Sequence, residues 1–154
     1  MNEFLYSVER EYNVPMESMW QAWVDPAALD IWYSPTELKT IPGATTSDAV
    51  VGGVWSVGVD VPQYNHRAFF FGKYSKVEPG KQLVHSMHYV ESQAEFDARD
   101  YNSPAHEVII DFEDRGDKTW VRFSQYGQLP EGQAPQAKAG MESYFDNLGI
   151  YLGR

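Results

Sequence analysis

The sequence predicts an α+β protein: a curved antiparallel sheet of about six or seven strands, two short helices after the first strand, and a long C-terminal helix. Three observations predict it. The run from Ala134 to Leu152 carries Ala137, Met141, Tyr144, Phe145, Leu148, Tyr151 and Leu152 at steps of three and four, which puts them on one helix face. Between the short helices and this run, stretches with the period-2 alternation of half-buried strands are joined by turn signals, so successive strands should pair antiparallel. Aromatic residues make up 15% of the chain, with 5 Trp, 10 Tyr and 8 Phe, and such side chains line a pocket as readily as they fill a core. The C-terminal run is about 19 residues, roughly 28 Å of helix, and needs a wide apolar surface to lie on. A helix of that length across a curved sheet can enclose a cavity.

The elements follow in order. In Glu3 to Val14, Phe4, Tyr6, Val8, Tyr12 and Val14 share one face of a strand, and Arg10 interrupts it. Arg10 either pairs with a carboxylate or snorkels at the sheet edge, or it meets a polar ligand group at a cavity wall. Pro15 suits a helix start, and Met16, Met19, Trp20 and Trp23 follow at helical spacing. Asp25-Pro26 ends that helix and caps a second over Ala27 to Trp32, which Trp32-Tyr33-Ser34-Pro35 closes. A short strand is expected around Glu37 to Ile41, then strands over Val54 to Val61, Arg67 to Val77 and Gln82 to Val90. Gly52-Gly53, Gln63 to His66 and Pro79-Gly80 mark the turns between them. Phe69-Phe70-Phe71 puts aromatics on both faces of its strand, as in a central strand covered on both sides. Glu91 to Pro104 is long for a hairpin connection, and Ala94 to Tyr101 can form one or two helical turns. Ala105 to Glu113 and Lys118 to Tyr126 form the last hairpin, around Arg115-Gly116-Asp117.

Composition excludes several functions. The 154 residues suit one domain, over 1–154, with a substantial core. The charge is 12 − 22 = −10 with no basic run, which argues against nucleic acid and anionic membranes as partners. There is no cysteine, hence no disulfide or thiolate chemistry. No signal peptide and no apolar stretch of membrane-spanning length is visible, so a cytoplasmic location is expected. No metal, cofactor or nucleotide motif occurs. No Gly-x-Ser-x-Gly occurs, and no catalytic residue is assigned.

The order of motifs resembles the START-like (SRPBCC) superfamily, the helix-grip or birch-pollen-allergen-like fold. Within it the chain resembles the activator homologues of the 90-kDa heat-shock-protein ATPase. Arg10-Glu11-Tyr12-Asn13-Val14-Pro15 is similar to the end of that family's first strand, Trp20 to Pro26 to its first helix, and Trp32-Tyr33-Ser34-Pro35 to its Trp-Trp-x-Pro segment. Gly52-Gly53-Val54-Trp55, Gly72-Lys73-Tyr74 and Val77 to Val84 match its next strands, and the Asp111 to Phe123 hairpin and Gly140 also fit. Two departures concern the pocket: Met141 follows Gly140 where the family often has tryptophan, and Trp120 follows the hairpin threonine. Eukaryotic activators of this ATPase carry a further domain before the matched one, for which 154 residues leave no room, so the family name is read as one of descent.

The resemblance and the aromatic content together imply a cavity between the sheet and the last helix. Its expected lining is Arg10, Trp32, Trp55, Phe69, Phe71, His85, Met87, Tyr89, Ile110, Phe112, Met141, Phe145 and Leu148, with Arg10, His85, Tyr89 and His106 as its polar groups. His85 and His88 lie in opposite strand phases, which argues against a shared metal. Gly140 costs about 1 kcal/mol relative to alanine in a helix, so it either packs closely on a bulky neighbour or leaves space for a ligand. The first expectation is a non-enzymatic binder of a small hydrophobic or aromatic molecule. A polyketide cyclase/dehydratase-like enzyme using Arg10, His85 and Tyr89 is the second, and a co-chaperone-type interaction module with a chaperone partner the third. A homodimer stays open, though no surface stripe argues for one.

Overall fold

The computed structural model describes residues 3–35, 38–62 and 66–153, apart from the His66 side chain. The elements are β1 (Glu3–Tyr12), α1 (Met16–Val24), α2 (Pro26–Trp32), β2 (Lys39–Thr40), β3 (Thr46–Ser47), β4 (Val54–Val61), β5 (His66–Glu78), β6 (Gln82–Val90), α3 (Gln93–Ala98), β7 (His106–Arg115), β8 (Lys118–Gly127) and α4 (Ala134–Tyr151). The expected strand start at Glu37 and most of the Gln63–His66 turn fall outside the described residues. The sheet is antiparallel in the order β1-β8-β7-β6-β5-β4-β2, with β3 paired to β4. It curls around α4 in the helix-grip arrangement.

Local chemistry sets the element ends. Asp25 ends α1 and caps α2 with its side chain, which accepts from the Ala27 amide at 3.0 Å. Ser92 caps α3 by accepting from the Glu95 amide at 3.1 Å, and its hydroxyl donates to the Glu95 carboxylate at 3.0 Å. β1 shifts register between Phe4 and Tyr6, so that Tyr6, Val8 and Tyr12 face inward.

Two apolar layers result. The inner face of the sheet packs Val57, Val108, Ile110, Val121 and Phe123 against Trp23, Trp32, Phe145 and Leu148 of the helices. The outer face carries Phe69 and Phe71, covered by Phe96 of α3 and by Ile41 and Ala44. Phe96 stacks on Phe69 at 4.6 Å between ring centroids. The long β6–β7 connection thus folds back over β5, and the Phe69-Phe70-Phe71 run is split between two cores. Covering both faces of β5 removes far more apolar surface from water than one face could, at about 25 cal/mol per Å².

α4 is fastened between Glu142 and Asn147. Arg10 of β1 bonds the carboxylates of Glu142 (3.0 Å) and Asp146 (2.6 Å) and the Glu142 carbonyl (3.1 Å). The Tyr12 hydroxyl donates to the Phe145 carbonyl at 2.7 Å, and the Asn147 amide donates to the Trp32 carbonyl at 2.8 Å. The helix face that carries Ala137, Gly140, Met141 and Tyr144 lies over a pocket.

Candidate functional site

The pocket has a volume of about 190 Å³ and is lined by Tyr6, Tyr33, Phe70, Met87, Gln125, Ala137, Gly140, Met141 and Tyr144. Each arrives by its element's periodicity. Tyr6 follows the β1 bulge, Phe70 is the inward member of its aromatic run, and Met87 and Gln125 point inward from β6 and β8. Ala137, Met141 and Tyr144 share the helix face at steps of four and three. Gly140 leaves the roof thin: a Cβ there would meet no atom within 4 Å outside the local helix backbone. The glycine therefore does not pack on a tryptophan, and its missing side chain opens onto the pocket.

Phe70, Met87 and Gln125 also line a wider groove of about 680 Å³, completed by Tyr89, Pro104, Ala105, His106, Gln128 and Leu129. The pocket and groove share those three residues and so adjoin. A polar chain runs along their boundary. The Tyr6 hydroxyl donates to Gln125 Oε1 at 2.5 Å, Gln125 Nε2 donates to His106 Nδ1 at 2.6 Å, and His106 Nε2 donates to the Gln128 carbonyl at 3.1 Å. The carbonyl can only accept, so the proton sits on Nε2, Nδ1 accepts, and the Gln125 oxygen faces Tyr6. Gly127 makes room for this imidazole, because a Cβ there would collide with the His106 ring.

The expected lining residues separate into several places. Met87 and Met141 reach the pocket, and Tyr89 lies in the groove, 49% exposed, its hydroxyl donating to Glu91 at 2.7 Å. Trp55, His85 and Ile110 surround a void of only about 10 Å³, room for a single water at most, so this part of the inner face is a filled core. Trp32, Phe112, Phe145 and Leu148 are packed in the main core and do not line the pocket. Phe69 and Phe71, expected at the cavity wall, sit on the other face of the sheet beneath α3. Arg10 is held in its ion pairs with α4, with 31% of its side chain exposed, and does not line the pocket.

Arg10, His85 and Tyr89, the set expected for an enzyme, therefore lie in three separate places. His85 is 5% exposed, its ring lies 4.5 Å from Trp55, and its Nδ1 bonds the Ser86 carbonyl at 3.0 Å. Burial pushes its pKa down to about 4, which keeps it neutral at neutral pH. His88 is on the other face, stacked on Phe71 at 4.8 Å. Among the described residues no group of three His, Cys, Asp or Glu comes together as a metal site.

The family model described as activator of Hsp90 ATPase homolog 1-like protein matches residues 13–153. The chain belongs to this family. Its fold recurs in protein CV1439 from Chromobacterium violaceum, with a TM-score of 0.78 and 18% identity over 97% of this chain and 96% of that one. An AHSA1 protein from Silicibacter pomeroyi superposes with a TM-score of 0.79 and 18% identity over 96% of each chain. CalU16 from Micromonospora echinospora gives a TM-score of 0.63 and 22% identity over 95% of this chain and 74% of that one. A comparison with curated proteins gives no match. At these identities the likeness is one of fold, and the site must be judged on its own residues. No helix among the described residues is long and apolar enough to cross a membrane.

Sequence reasoning missed Tyr33, Phe70, Gln125 and the groove residues Pro104, Ala105, Gln128 and Leu129, it named His106 as a polar group of the cavity where the structure puts it in the groove, and it left Tyr6 and Tyr144 as plain face residues. For Phe70 the signal was present. Strand alternation opposes it to Phe69 and Phe71, and one of the two sets had to face away from α4.

Proposed function

We propose that this chain binds a small apolar or aromatic molecule in the pocket beneath the face of α4 that carries Ala137 and Tyr144, without transforming it. The observation that carries the reading is Gly140. A helix interior accepts a glycine at a cost of about 1 kcal/mol, and here the space gained belongs to an apolar pocket. Apolar walls with a few convergent polar groups are what a small-molecule site requires. The partner is thus a small hydrophobic molecule, in a protein we read as cytoplasmic. The dispersal of Arg10, His85 and Tyr89 favours a binder over the enzyme built on them.

A neutral fluorescent probe, N-phenylnaphthylamine, tests the reading. Wild type and Gly140→Ala should bind it saturably. Gly140→Phe, whose ring would project into the pocket, should bind at least tenfold more weakly while melting cooperatively. Equal binding by Gly140→Phe and wild type would contradict the reading. The family match favours one other reading, a contact with the ATPase chaperone, and stimulation of that ATPase by the purified chain would support it.

A further inference from the structure

Among the described residues five tyrosines are buried: Tyr6, Tyr12, Tyr33, Tyr74 and Tyr144. Three have matched hydroxyls. Tyr6 donates to Gln125, Tyr12 donates to the Phe145 carbonyl, and Tyr74 shares a 2.8 Å bond with the Ser47 hydroxyl. The other two, Tyr33 at 4% exposed and Tyr144 at 9%, both line the pocket. Among the described residues neither hydroxyl has a hydrogen-bond partner. Their rings meet edge to face at 5.1 Å, so the two side chains form one corner of the pocket. Both hydroxyls reach the open space of the pocket, since the buried side-chain polar atoms that lack a partner among the described residues are Trp23 Nε1 and Arg122 Nε. Two adjoining hydroxyls, open to the pocket and with no protein partner among the described residues, are available to a ligand group that pairs them.

We propose, resting on the binder reading above, that the ligand is an uncharged ring compound with a carbonyl oxygen that accepts from the Tyr33 and Tyr144 hydroxyls. A carbonyl oxygen has two lone pairs and can take both donors. Burial raises the ionisation of both phenols far above neutral pH, so they remain donors. Among the described residues no lysine, arginine or carboxylate lines the pocket, so a ligand charge would be desolvated there without a partner. The chain's net charge of −10 works further against an anion. Phe70, Met87 and Met141 supply flat and adaptable walls for a ring system.

Fluorenone and fluorene test the class, since they differ by the carbonyl oxygen, with fluorenecarboxylate as the charged analogue. Calorimetric titration should give fluorenone about tenfold tighter than fluorene on wild type, the worth of one good net hydrogen bond. In the Tyr33→Phe/Tyr144→Phe double variant that preference should vanish while fluorene affinity is retained. Fluorene binding as tightly as fluorenone, or a preference that survives the double variant, would overturn the tyrosine assignment and leave the pocket reading standing. Tightest binding of the carboxylate would overturn the uncharged class alone. Binding of none of the three would overturn the pocket reading and this inference together.

Discussion

Three glycines make a quantitative test of the packing. At Gly140 a Cβ meets nothing within 4 Å, so Gly140→Ala adds a methyl to free space and restores helix propensity. The expected gain is about 1 kcal/mol. At about 2.1 cal/mol/K per residue, 154 residues have an unfolding entropy of roughly 0.32 kcal/mol/K, so the gain raises Tm by about 3 °C. The reverse holds at Gly127, where a Cβ collides with the His106 ring, and at Gly72, where it collides with the Ser86 carbonyl oxygen of the neighbouring strand. Alanine there should cost about 1–3 kcal/mol, and more at Gly72, where backbone must move. Thermal and urea unfolding of the three variants, with the m-value checked for constancy, measures all of this. A Tm for Gly140→Ala below that of wild type would refute the reasoning, because it would mean that the helix roof is packed where the geometry shows space.

Further outcomes follow from the same contacts. Tyr33→Phe and Tyr144→Phe, which delete hydroxyls with no partner among the described residues, should change stability by less than about 0.5 kcal/mol or raise it. Tyr12→Phe removes a buried hydrogen bond to the Phe145 carbonyl, which lies within α4 and keeps its helix bond, and should cost about 0.5–1.5 kcal/mol in the same urea unfolding assay. His85 has a folded pKa of about 4, below its ordinary 6.5, so the unfolded chain binds its proton better. Its contribution is whole above about pH 6.5 and is lost as pH falls through 4. Between pH 7 and 4 the wild type should therefore lose about 3 kcal/mol more than His85→Gln, measured as paired denaturation curves. Arg10→Met removes part-exposed ion pairs and should cost about 1 kcal/mol or less, most of it gone in high salt, with probe binding unchanged.

The element order was legible because its signals are local. Period-2 runs, Asp25-Pro26 at the junction of two helices, and the helical spacing from Ala137 to Leu148 each fix a piece of backbone without reference to the rest. The two-residue strand β3 at Thr46–Ser47 has no such signal, since pairing with β4 alone defines it. The site was less legible. Periodicity shows that Phe69 and Phe71 share a face and that Phe70 opposes them, but not which face meets α4. That choice was made by α3, whose Phe96 covers the outer pair. Likewise Trp55, His85 and Ile110 do face inward, but beneath the packed part of the core. The fastening of α4 by Arg10, Tyr12 and Asn147 decides where along the helix a pocket can exist, and these are contacts between residues more than a hundred positions apart. Gly140 was the one site feature with a local signature, a helix breaker inside a helix.

Methyl-methionine NMR tests the pocket most directly. The chain has 5 methionines. Met87 and Met141 line the pocket, whereas Met16 and Met19 lie on α1 and do not. Titration with fluorenone should shift the Met87 and Met141 methyl resonances together along one binding curve and leave Met16 and Met19 in place. Shifts confined to Met16 or Met19, or no shift at any methionine at saturating probe, would contradict the account.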